Sequence, residues 1–191
     1  MDSDRAMLLA RVVDALQFAA DAHREQRRKD RVTPYINHPI ELVWLLAVEG
    51  GVDDPDVLVA AVLHDYLEDC CGRSGQPSVA EGSDILRQRF GERVLACVQA
   101  CSDDKSLPKE ERKRLQVAHA GALPEDARLV KLADKIANLR DLVAAPPQGW
   151  SLERRCEYFD WARAVVDRIR GTHAGLEALF DEAYALRPGW R

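Results

Sequence analysis

At 191 residues, with 47% hydrophobic and 31% charged side chains, the chain fits one domain or at most two. It can bury about 70% of the surface an unfolded chain exposes, which excludes disordered, collagen-like and disulfide-miniprotein classes. The formal net charge of −5 excludes adhesion to nucleic acid or anionic lipid by bulk electrostatics, so an anionic ligand must be held by a local patch.

Apolar residues recur with helical period along the chain and no segment alternates with period two, so the spacing predicts an all-α fold, a bundle of about eight to ten helices in a single domain over 1–191. The first helix is expected from near Ser3 to about Arg27, with Met7, Leu8, Val12, Val13, Leu16, Ala19 and Ala20 on one stripe. After RRKDRVTPY, Asn37 is positioned to cap a second helix with Pro39 in its first turn, which Gly50 and Gly51 stop. Asp54 and Pro55 open a third, VLVAAVLHDYLEDCC (57 to 71), apolar nearly all round until its polar end, the pattern of a central helix. GRSGQPS (72 to 78) is a loop, followed by helices near 79–90, 92–101 and 109–120 with a charged connector SDDKSLPK between the last two. Another helix runs from about Pro124 to Val143, stopped by Pro146, Pro147 and Gly149. Ser151 caps the next, to about Arg170, and Gly171 and Thr172 separate it from a last helix ending before Pro188.

No apolar run approaches the roughly 20 residues of a membrane span, and the stretch from Met1 to Arg11 carries two Asp where a secretion signal is basic. The five cysteines contain no zinc-type Cys-x2-Cys pair. A cytoplasmic protein with reduced, structural thiols is expected.

The carboxylates at the end of the central helix require an explanation. Helical spacing puts His64 over Glu68 and Asp65 over Asp69, one imidazole and three acids on adjacent stripes. A solvated helix end is the bland reading; against an apolar core such acids need a cation or donors. Asp134 repeats the problem between Leu132 and Ile136, with Asn138 one turn on, and His38 sits at the start of the second helix. Together, His38, His64, Asp65 and Asp134 would make a mixed nitrogen and oxygen site suited to Mn²⁺, Fe²⁺ or Zn²⁺, with positions left for water and a phosphate oxygen. Two basic clusters, Arg24 to Arg31 and Lys105 to Arg114, suit a polyphosphorylated nucleotide if they face that site, and solvated helix faces if they do not. His23, His119 and His173 have no partner that spacing identifies.

HREQRRKD (23 to 30), TPYINHPIE (33 to 41), LHDYLED (63 to 69) and KLADKIANLRDL (131 to 142), in this order, resemble the HD-domain phosphohydrolases, specifically the alarmone hydrolase domain of the RelA/SpoT family. DDKSLPKEERKRLQ (103 to 116) and GWSLERRCEYFDWA (149 to 162) are similar to its small, stand-alone members. The resemblance implies that His38, His64, Asp65 and Asp134 are metal ligands, with Mn²⁺ the usual ion, and that Glu68 and Asp69 are the catalytic carboxylates. It implies that Arg28 packs on guanine, that Asn138 contacts the reacting region, that Lys29, Lys109 and Arg114 contact phosphates, and that Trp150, Arg154 and Tyr158 close the other side. Cys70 departs from the family, which often has Thr there.

The implied reaction is hydrolysis of guanosine 3′,5′-bis(diphosphate) to GDP and pyrophosphate, and of its pentaphosphate relative to GTP, with no nucleic-acid or membrane partner. Two alternatives stand beside it: a phosphohydrolase of another nucleotide, such as the 2′-phosphate of NADPH, and a non-catalytic alarmone sensor. The sequence leaves the oligomeric state open.

Overall fold

The computed structural model describes residues 3–189, so Asp2, one of the N-terminal acids, lies outside it. The expected all-α architecture is observed. In chain order the helices are α1 (Ser3–Ala22), α2 (Asn37–Trp44), α3 (Pro55–Leu63), α4 (Tyr66–Asp69), α5 (Val79–Phe90), α6 (Glu92–Cys101), α7 (Lys109–His119), α8 (Glu125–Ala144), α9 (Leu152–Val166) and α10 (Ala174–Ala185). Extended pairing among the described residues is limited to one isolated bridge, Arg27 with Pro34. No helix among them is long and apolar enough to cross a membrane.

α3 is the centre, because Val57 through Leu63 are all buried and α1, α2, α6 and α8 pack around it. α8 takes the opposite side of the site, with Leu132, Ile136 and Leu139 fully buried toward α3 and α10. Asp54 caps α3 through Asp56 N–H at 2.9 Å, with Pro55 at the first position, and Ser151 caps α9 through Arg154 N–H at 3.1 Å, both as the sequence predicts.

On α1 the buried stripe is narrower than expected, because Val12, Ala15 and Ala19 face α3 while Met7, Val13 and Ala20 are exposed. Four boundaries also differ from the sequence reading, each because a local bond or a tertiary contact overrides helical period. α1 ends at Ala22 rather than Arg27: the chain turns at His23, whose C=O accepts from Gln26 N–H at 2.8 Å, and returns through the Arg28 N–H bond to Thr33 C=O. Asn37 is not the cap of α2 but its first residue; Ile36 precedes it in helical conformation, because the turn at Pro34 and Tyr35 already supplies carbonyls to Asn37 and His38. The other end of α2 agrees: it runs on through a π-turn, Leu45–Glu49, closed by Gly50 N–H to Leu45 C=O at 2.8 Å, and stops at Gly50 and Gly51 as expected, Gly51 at φ +69° letting the chain leave. α3 stops at Leu63, with Asp65 at φ −100°, ψ 1°, before α4 resumes. α9 likewise ends at Val166 in a turn rather than at Arg170.

Far from the site, Arg93 on α6 pairs with Asp54 at 2.8 Å and Asp126 at 2.8 Å, holding acids that also favour the N-termini of α3 and α8. Asp54→Ala removes a cap and an ion pair; a urea melt is expected to show a loss of about 1 kcal/mol with catalysis unchanged.

Candidate metal centre and cleft

The break between α3 and α4 builds the site. On an unbroken helix His64 and Asp65 would diverge by about 100°; here they converge, with His64 Nε2 3.0 Å from Asp65 Oδ2. The bond from Asp69 N–H to Asp65 C=O, 2.8 Å, survives the break, whereas the predicted continuous stripe from His64 to Glu68 does not. The first turn of α2 supplies His38, 2% exposed, and α8 supplies Asp134, whose Oδ1 lies 3.3 Å from His38 Nε2. His38, His64 and Asp65 each present one ligand atom, all within 4.8 Å of one another.

The donor set fits a divalent cation. His64 Nδ1 is 2.9 Å from the Ala61 carbonyl and donates to it, which leaves the buried Nε2 as the ring atom turned into the cluster beside Asp65, where a cation or a proton is drawn. Burial by itself would push the His64 pKa down; the Asp65 carboxylate, with Asp134 behind it, overrides burial and raises it to about 9. Asp134 stays well below the usual carboxylate range despite burial, held there by Lys135 and His38. The pocket therefore draws positive charge.

Glu68 and Asp69 stand beside this cluster. Glu68 Oε2 accepts from Asp103 N–H at 3.0 Å and Oε1 lies 2.9 Å from Lys105 Nζ. Asp69 Oδ1 accepts from the same ammonium at 3.0 Å and Oδ2 from Gln26 Nε2 at 2.8 Å. Lys105 thus bridges the two acids. Burial, then Asp65, raises the Glu68 pKa, which brings it toward the range of a group that exchanges protons.

The cavity over the cluster, about 310 Å³, opens past Lys29 and Glu68 into a groove of about 1040 Å³. Lys109, Arg112, Trp150, Arg154 and Tyr158 line that groove. Arg154 stacks 4.3 Å over the Trp150 ring, and the Lys29 ammonium lies 5.0 Å from Tyr158 and 5.5 Å from Trp150. Beside Arg28 is a narrower notch, about 70 Å³, bounded by Asn138, Leu142, Pro147, Trp150 and Tyr158. Arg28 spends its edge on Asp141, and on Asn138 Oδ1 at 3.1 Å, and its guanidinium carbon lies 5.8 Å over the Tyr35 ring. Asn138 passes the contact on, donating to Asp134 Oδ1 at 2.5 Å.

Arg114 is the one named residue that stays outside. It points away from the groove on the far face of α7, paired with Glu111 at 2.6 Å with 64% of its side chain exposed, because it lies two positions, about 200° round the helix, from Arg112. The structure also adds contacts that spacing did not identify, and it turns Lys105, expected in a phosphate-facing cluster, onto the acids instead. Tyr35 donates its hydroxyl to Asp65, Lys105 and Asp103 hold Glu68, and Asp141 holds Arg28. His23 is buried, 2.6 Å from Gln26 and stacked on Tyr35. Cys70, the departure from the family pattern, packs its thiol 3.4 Å from that imidazole. His173 caps α10 through Leu176 N–H, whereas His119 is exposed.

An HD-domain family model matches residues 15–158. A Drosophila melanogaster protein named guanosine-3′,5′-bis(diphosphate) 3′-pyrophosphohydrolase MESH1 is 47% identical, over 93% of this chain and 95% of its own. Its human counterpart of the same name is 46% identical over 98% of both chains. A solved structure described as a metazoan ortholog of SpoT that hydrolyzes ppGpp superposes with a TM-score of 0.84 at 46% identity, covering 94% of this chain and 96% of that one.

Proposed function

The chain belongs to the HD-domain family, in its small alarmone hydrolase branch, and from that premise we propose that it hydrolyses guanosine 3′,5′-bis(diphosphate) to GDP and pyrophosphate, and the pentaphosphate relative to GTP, using Mn²⁺. The observation that carries the reading is the His38, His64 and Asp65 cluster beside two further acids, under a groove to which Lys29, Lys109, Arg154, Trp150 and Tyr158 contribute.

His38, His64, Asp65 and Asp134 would hold the ion, which would supply Lewis-acid polarisation at the 3′-linked phosphoryl group. Glu68 and Asp69, steadied by Lys105, orient the attacking water and manage its proton and that of the departing 3′-oxygen. Lys29, Lys109 and Arg154 offset phosphate charge along the groove. The notch takes the base, with the Arg28 face on one side and Trp150 and Tyr158 on the other.

The test is turnover by purified protein with and without Mn²⁺, following GDP and pyrophosphate by anion-exchange chromatography, with NADPH alongside. Mn²⁺-dependent release of both products is expected. Turnover of NADPH alone would overturn the substrate, and metal and nucleotide binding without turnover would favour the sensor.

Lys29 sets an expected pH dependence. Loss of water around its ammonium and the neighbouring Arg28 charge lower its pKa to about 8. Its charge, and its attraction for phosphate, therefore fade as pH rises through 8. In the free protein the same shift acts on stability with the opposite sense: the cost of holding the ammonium is present below about 8 and is relieved as pH rises toward the unfolded value of 10.5. KM is expected to climb between pH 7 and 9, and Lys29→Arg, which keeps its charge, is expected to flatten that climb. An equal climb in both proteins would assign it to another group.

A further inference from the structure

We propose that His23 is a positioning residue, fixing the Gln26 amide so that its N–H₂ faces Asp69 while its ring carries Tyr35, the hydroxyl donor to Asp65. The argument is one of donor direction. Asp69 Oδ2 is 2.8 Å from the Gln26 side chain, and a carboxylate oxygen accepts, so the amide nitrogen must face it. The Gln26 carbonyl oxygen then faces His23 Nδ1 at 2.6 Å, and this second oxygen also only accepts. His23 must therefore carry its proton on Nδ1. A reversed amide would set its oxygen against Asp69, with two acceptors in contact and no bond.

The other side of the same ring does separate work. His23 and Tyr35 stack with centroids 4.6 Å apart and planes 28° apart, and both are buried, at 3% and 7% exposed. Tyr35 reaches from that stack to Asp65. One imidazole thus sets a group in the α3–α4 break and another at the end of α4: Asp65 through a ring contact and Asp69 through an amide. Cys70 and the Ala19 carbonyl, which accepts from His23 N–H at 2.9 Å, hold the residue itself in place. His23 reaches the chemistry only through these neighbours. The inference rests on the reading of Asp69 as a working carboxylate, yet the direction of the relay can be read without any turnover.

Nitrogen-15 spectra of the histidines in the intact protein are the first arm. His23 is expected as the neutral Nδ1–H tautomer, and Gln26→Ala is expected to abolish that preference. A neutral Nε2–H tautomer, or a doubly protonated ring at pH 7, would overturn the relay whether or not the protein turns over any nucleotide. Kinetics are the second arm, on the wild-type substrate. His23→Phe keeps the ring and deletes the donor; kcat is expected to fall about 10- to 100-fold, the range for loss of a partner that orients a metal-site side chain, with KM little changed. Because His23 acts on Asp69 through Gln26, His23→Phe in a Gln26→Ala background is expected to cost little more than Gln26→Ala alone. Additive losses, or a lowered Tm with unchanged kcat, would overturn the positioning role. Absence of turnover in the wild type would instead count against the proposed reaction, and the tautomer would still decide the relay.

Discussion

His64→Ala and Asp65→Asn are each expected to remove metal binding and turnover together. His64 Nε2 is turned into the cluster beside Asp65, with no exposure to solvent that would let another group substitute for it. Asp65 is the acid that pulls positive charge to the imidazole, and its neutralisation leaves Tyr35 donating to an amide in place of a carboxylate. An ion that supplies several kcal/mol of transition-state charge stabilisation is worth at least about 10³ in rate, and both variants should lose that much or more. Calorimetric titration with Mn²⁺ alongside initial-rate assays checks the pairing of the two losses. Metal bound at wild-type affinity in His64→Ala would remove this residue from the ligand set.

Glu68→Gln should separate what the first pair of variants loses together. Glu68 is not among His38, His64 and Asp65, whose candidate ligand atoms lie within 4.8 Å of one another, and its contacts run to the Asp103 N–H and the Lys105 ammonium. A glutamine fits the same space, but it accepts at only one of its two ends, so one of those donors is left facing an N–H₂ group, and the side chain no longer takes a proton. Mn²⁺ affinity is expected to stay at the wild-type level while kcat falls by about 10²- to 10⁴-fold, the usual worth of a positioned general acid or base. Turnover retained in Glu68→Gln would end its proposed role.

Much of this site was legible in the residue pattern, and the residues that were not share a physical cause. His64 and Asp65 stand out because charge at the end of an apolar helix is costly, and Asp134 because an acid sits among buried leucines. Those are local properties. Lys105 bridges two acids 36 and 37 positions away, and Asp141 holds Arg28 across 113 positions. No periodicity reports such distances. Arg114 fails for the complementary reason: its motif places it in a basic run, but α7 turns only one face of that run to the groove, and the neighbours that select the face come from α9.

The α3–α4 break shows the same division. Helical period carries straight through 57 to 71, and no proline or glycine interrupts it. The chain nevertheless leaves the helix at His64, where Ala61 C=O takes the imidazole and Tyr35 and Gln26, from the segment after α1, take the acids beyond. The sequence by itself determined the all-α class, the central helix, its caps and the motifs of the family, because hydrophobic period, capping chemistry and motif spacing are written along one stretch of chain. Only the tertiary structure decided which charged groups converge, which acid each cation pairs with and where the buried His23 packs, because burial and donor direction depend on segments that meet only when the helices pack.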